Sequence, residues 1–371
     1  MTSRTLRLLA ALLAFTLLLA APSFALAKKS KKNKKFDKKD WIWQPDAFPA
    51  EKKQDFIRMA DNFFVFYDPS TAMDVPYQNS GMTRLEMSKQ ILLKSNASLP
   101  ELNWQTGLYP HWRNVMWLPG AERTFQPFYR LQNYDQEAFG TALEQLPVTS
   151  SGPPMLQTAL MKLEYLLPLP GRTEVFIFTN GAAFRFEGLD EPEPLTQAKI
   201  LAEKHDVCFT LISSATNSTA EKLLNDIAAV NDCSQVIDFD TLAAHPEHLF
   251  GRLYMPASSP YPNVLFAFDK AQIRKEQQHT LERLGRYLID HPQEYAVLSG
   301  FCDHVGSHAY NIHLSRRRAE SARKYLLDNF SLKKDRVLIY WYGKAKPTAS
   351  NKTEEGRRLN RRVTVQLRKG K

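Results

Sequence analysis

Between residues 63 and 239 the chain alternates two apolar patterns. Short runs that are mostly apolar (Phe63–Tyr67, Glu174–Phe178, Val207–Ile212 and Gln235–Phe239) are separated by longer stretches with helical spacing. An almost unbroken apolar run of five or six residues indicates a strand buried on both faces. Helices are predicted around Leu85, Ile91 and Leu92, near 135–146 and 155–167, from Leu195 to His205 and from Thr219 to Val230, with a further apolar segment at Trp104–Tyr109. Strands alternating with helices predict an α/β fold, a doubly wound and mostly parallel sheet covered on both sides.

Residues 251–261 then read differently. Pro256, Ser258, Ser259 and Pro260 make a turn-rich run, the expected linker between a domain at 55–250 and a second at 262–371. In the second, Tyr295–Phe301 reads as a short strand that stops at Asp303-His-Val-Gly306. Apolar residues then recur at Ile312, Ala319, Ala322, Leu326 and Phe330, a helical spacing.

Charge divides the chain further. The formal net charge of +10 conceals −11 over residues 40–261 and +12 over residues 262–371. Opposite signs on the two domains argue against nucleic acid as the partner and suit a basic module lying on an anionic polymer. At the start, Arg4 and Arg7 precede an apolar run from Leu8 to Ala21 and a small-residue Ala25-Leu-Ala27. That is the layout of a secretory signal (1–27) cleaved after Ala27, and the run is short for a span of about 20 residues. Residues 28–54 form a basic tail and lead-in. The Lys28–Lys39 segment carries eight lysines and one aspartate, suited to contact with an anionic surface or to serve as a solvated spacer.

The second domain holds the clearest candidate chemistry. Asn311 and Arg318, seven residues apart, fall within roughly 20° of one another around a helix. If the Asp303 turn folds over that stripe, a carboxylate and a guanidinium face each other across a gap. One suits an ammonium and the other a bidentate carboxylate, a receptor for a zwitterion. The plainer alternative is an Asp303–Arg318 salt bridge that clamps turn to helix.

Four motifs in order, Phe266-Ala-Phe-Asp269, Gly300-x-x-Asp303-x-x-Gly306, Tyr310-Asn311-x-x-Leu314-Ser315-x-x-Arg318-Ala319 and Gly356-Arg-Arg-Leu-Asn360-Arg361-Arg362-Val363, resemble the OmpA-like C-terminal domain over about residues 262–368. The resemblance implies an α/β sandwich that binds peptidoglycan non-covalently through the diaminopimelate of the stem peptide. Asp303, Arg318 and Asn311 match its binding residues, with Arg361 as an accessory. Cys302 departs from the usual Thr or Ala. Asp68-Pro-Ser70-Thr-Ala72 and Thr179-Asn180-Gly181, at predicted strand ends, resemble the metal-dependent adhesion site of a von Willebrand factor A-type domain. Here the site is degenerate. Ala72 replaces a serine, Asn180 an aspartate, and Ser151-Gly-Pro-Pro-Met155 supplies no threonine, so too few charged oxygens remain for a hard divalent cation.

Other chemistry is weaker. Cys302-Asp303-His304 lacks an orienting group for a thiol nucleophile, and His304, His308 and His313 lack a carboxylate or cysteine at ligand spacing. No cofactor is expected. Cys208 and Cys233 flank adjacent predicted strands, as a disulfide or as two buried thiols. These features predict a periplasmic, wall- or outer-membrane-associated adaptor that is not an enzyme. It binds peptidoglycan and presents residues 55–250 to an envelope protein. The alternative is a peptidoglycan-modifying enzyme with its centre in the N-terminal domain.

Overall fold

The computed structural model describes residues 56–111, 126–182 and 192–369. The predicted signal and basic tail lie outside them. The N-terminal lobe runs β1 (Phe56–Arg58), β2 (Asn62–Tyr67), α1 (Arg84–Asn96), β3 (Gln105–Pro110), β4 (Tyr129–Asn133), α2 (Gln136–Glu144), α3 (Leu156–Leu166), β5 (Thr173–Thr179), α4 (Pro194–Lys204), β6 (Val207–Ser213), α5 (Ser218–Ala228), β7 (Gln235–Asp238), α6 (Phe239–Ala244) and β8 (Tyr254–Pro256). The C-terminal lobe adds β9 (Val264–Leu265), α7 (Lys275–Asp290), β10 (Glu294–Gly300), α8 (His308–Phe330), β11 (Val337–Trp341), α9 (Glu354–Asn360) and β12 (Arg362–Lys369).

Six strands of the first lobe form one sheet in the order β4-β3-β2-β5-β6-β7, parallel except for β4, which runs antiparallel at the edge. The apolar runs have the expected cause. Phe63, Val65 and Tyr67 of β2 join one core with α1 and α2, while Phe64 and Phe66 join a second with α3, α4 and α5. The order reverses between β2 and β5, and at such a switch point the loops beyond the strand ends separate to leave a crevice. Cys208 and Cys233 form a disulfide, with Cα atoms 5.3 Å apart.

The second lobe is a four-stranded mixed sheet, β11-β10-β12-β9. One face packs on α7 and α8 through Leu281, Leu284, Ile312, Ala319 and Leu326. The other face, Tyr295, Val297, Phe301, Tyr340 and Tyr342, packs against Met59 and Met255 of the first lobe. Residues 251–261 are therefore no free linker, contrary to the sequence expectation. β8 pairs antiparallel with β1, Leu253 is fully buried, and Arg368 Nη2 donates to Tyr254 O at 3.0 Å. The turn-forming residues are real, but the apolar residues among them complete a sheet face that would otherwise be wet.

Candidate functional site

β10 ends at Gly300 against α8. A Cβ at Gly300 would overlap the carbonyl oxygen of Ser315, so only glycine lets the strand and helix approach this closely. The chain then turns through Asp303 to Gly306, whose φ of +97° is a glycine conformation, and Ser307 caps α8 by accepting from Tyr310 N. This geometry brings Asp303, Asn311, Arg318 and Arg361 onto one cavity of about 210 Å³, together with Cys302 and Leu314. Phe268, Val305 and Tyr310, large and exposed, stand at the same cavity, and Tyr310 Oη donates to Asp269.

The four residues come together, and the plainer alternative, an Asp303–Arg318 salt bridge, does not form. Asp303 bonds Arg361, not Arg318: Arg361 Nη1 donates to Asp303 Oδ2 at 2.9 Å, with both side chains buried, and Val305 N donates to Oδ1 at 3.1 Å. Arg361 Nη2 also reaches Glu354 Oε1 at 2.8 Å. Arg318 is fully buried, and its donors are used on three backbone carbonyls and one sulfur. Nε bonds Lys270 O at 2.9 Å, Nη1 bonds Phe301 O at 2.9 Å and Cys302 Sγ at 3.2 Å, and Nη2 bonds Ala267 O at 3.3 Å. Of the five N–H groups of a guanidinium, one on Nη2 is left over among the described residues. Asn311 Nδ2 donates to Val305 O and Ser307 O, so it holds the turn at the edge of the cavity. The pairing was not readable because Arg361 lies 58 residues beyond Asp303 in sequence. Burial pushes the Cys302 thiol up to about 11, which keeps it protonated near neutrality.

In the first lobe Asp68 and Asn180 do lie beyond the carboxyl ends of the neighbouring strands β2 and β5. Ser70 N donates to Asp68 Oδ1 at 3.0 Å, and the Gly152 loop is tied alongside by Thr71 N to Gly152 O. Asp68 is buried, and burial raises its pKa to about 6. Asn180 Oδ1 accepts from Ala182 N, and Thr179 Oγ1 from Gly181 N. Among the described residues Asp68 Oδ2 and Ser70 Oγ are buried here without a partner, while the Asn180 and Thr179 oxygens are occupied by their own turns, and one carboxylate with one hydroxyl is fewer oxygen ligands than a hard divalent cation takes. Two histidines set aside as metal ligands serve the lobe contact instead: His313 Nε2 lies 2.9 Å from Asp232, and His308 Nε2 lies 3.5 Å from Arg172.

Comparison with known proteins covers the second lobe. The OmpA family matches residues 265–361. The C-terminal lobe is OmpA-like. Outer membrane porin F of Pseudomonas aeruginosa is 34% identical over 105 residues, 28% of this chain and 30% of that protein. Outer membrane protein A of Bordetella avium is 35% identical over 105 residues, 28% of this chain and 54% of its own length. The match thus spans a third to a half of those relatives. The crystal structure of the peptidoglycan-associated lipoprotein from Burkholderia pseudomallei is 29% identical over 29% of this chain and 89% of that one, with a TM-score of 0.28. Among the described residues, no helix is long and apolar enough to cross a membrane.

Proposed function

We propose that the chain is a non-enzymatic periplasmic tether. Its OmpA-like lobe binds peptidoglycan through the diaminopimelate of the stem peptide, and residues 55–250 hold an envelope protein. The observation that carries this reading is the cavity in which Asp303, Arg318 and Arg361 converge beside an apolar rim. An ionised carboxylate offers about four lone-pair positions, and Asp303 uses two of them on Val305 N and Arg361. The others suit an ammonium. The spare N–H of Arg318 suits the adjoining carboxylate, and Phe268, Val305 and Tyr310 suit the methylenes between. We read residues 55–250 as von Willebrand A-like, supported by the strand order and by the antiparallel edge strand β4. In this reading the partner docks without a divalent cation.

Asp303→Asn tests the wall site, because the isosteric amide can still accept from Val305 N while the charge is lost. Retention on purified sacculi should fall by about 30-fold or more, the equivalent of about 2 kcal/mol. Free diaminopimelate should compete for the wild-type protein, and wall containing lysine in place of diaminopimelate should retain it poorly. Equal retention on both walls, unaffected by the variant, would refute the assignment.

A further inference from the structure

The turn after α6 carries His245-Pro-Glu-His248, and it lies at the junction of the two lobes. Glu247 and His248 are buried, and the His248 ring packs on Tyr295 of β10 with centroids 4.8 Å apart. Both ring nitrogens of His248 and Oε1 of Glu247 are buried without a hydrogen-bond partner among the described residues. A neutral imidazole carries one N–H and one lone pair, and burying both unmet, beside an unmet carboxylate oxygen, is rare in a settled structure. The three side chains point at a common place. His245 Nδ1 is 3.4 Å from Glu247 Oε1, His248 Nε2 is 4.0 Å from the same oxygen, and one ligand atom from each residue lies within 4.8 Å of the others.

We propose that His245, Glu247 and His248 bind one zinc ion at the seam between the lobes, with Asp335 of the C-terminal lobe holding the outer nitrogen of His245. Two ligands at zinc bond lengths of 2.0–2.1 Å sit about 3.4 Å apart in a tetrahedron and never more than about 4.2 Å. The two distances to Glu247 already fall within that limit. The remaining adjustment belongs to His245, whose side chain is 30% exposed and can turn, whereas His248 at 3% cannot. The two rings are stacked with planes 9° apart, so capture of the ion opens the stack by swinging His245 until its lone pair points at the metal. Asp335 Oδ2 stands 3.6 Å from His245 Nε2, beyond hydrogen-bond distance but close enough to be reached as His245 turns, and would then orient a zinc-bound histidine. Water completes the coordination. Two imidazoles and one carboxylate suit zinc rather than calcium or magnesium, which take oxygen ligands. The ligands come from one lobe and the orienting carboxylate from the other, so the bound ion would fasten the seam.

The test uses the full mature chain without a histidine tag, stripped with a chelator. After equilibrium dialysis against about 10 µM free zinc, elemental analysis should find one zinc per chain, and the melting midpoint should rise as for any ligand of the folded state. Cobalt in place of zinc should give the visible absorption of a tetrahedral site. His245→Ala, at a partly exposed position, should keep its fold by circular dichroism and lose the metal, and Asp335→Asn should weaken binding about 10-fold or more. No bound zinc in the wild type, or equal zinc in wild type, His245→Ala and His248→Gln, would overturn the proposal.

Discussion

Asp68 shows how a side chain can be informative at the wrong place. Its carboxyl is buried beneath the end of β2 with one oxygen bonded to Ser70 N and the other unmet among the described residues. Burial raises its pKa from 3.8 to about 6. The folded form therefore binds the proton more tightly than the unfolded chain, and stability falls as pH rises from about 4 to about 6. Two pH units at about 1.4 kcal/mol each set an upper bound of about 3 kcal/mol. Asp68→Asn keeps the bond to Ser70 N without the ionisation, so it should stabilise the protein at pH 8 and be near neutral at pH 4. Urea denaturation of both forms at the two pH values checks this. A variant that is less stable at pH 8 would show that the carboxylate has a charged partner in solution.

At the level of the element, α8 is the part on which both lobes converge. Its first turns put Asn311 and Arg318 against the cavity and Ile312 on the sheet, while His308 and His313 reach the first lobe. Its seat depends on Gly300, and Gly300→Ala must push the helix off β10. Overpacking of this kind costs about 1–3 kcal/mol, and because backbone is the obstacle the upper end is expected. Wall retention should fall with it, since the turn at Asp303 moves too. A melting curve and a sacculus pull-down on the same sample test both, and an unchanged midpoint would mean that strand and helix have slack. Most strands and helices of the first lobe, and β10 and α8 of the second, were legible in the sequence because each apolar run answers to a local period, whereas β9, β11, β12, α7 and α9 were not read from it. Nor was β4, since Tyr129–Asn133 is a short edge strand with a half-polar pattern. The partners of Asp303 and Arg318 were illegible for another reason. They are a distant arginine and four atoms supplied by other residues, three of them backbone carbonyls, which no side-chain pattern announces.

For the whole molecule the seam decides the behaviour. Trp341 Nε1 donates to Asp232 O at 2.6 Å, Tyr342 Oη to Arg252 O at 3.0 Å, and Arg252 lies buried against Glu174 at 3.3 Å. Lobes joined by small polar contacts move independently, but here an aromatic sheet face is shared. Calorimetry should show a single unfolding transition whose van't Hoff and calorimetric enthalpies agree. Residues 262–371 expressed alone should expose Tyr295, Val297, Tyr340 and Tyr342 and bind a hydrophobic dye. Two separated transitions would mean that the seam opens before either lobe melts.

The same shared face bears on how such a chain can change over generations. A gene fusion cut at the turn-rich segment would look harmless in the sequence, yet it would set a Met59–Met255 surface shaped for one aromatic sheet against another. The two halves are therefore expected to be inherited together, with changes at Tyr340 or Tyr342 matched by changes around Arg252. Recombination would succeed only where it carries the seam along with the lobe.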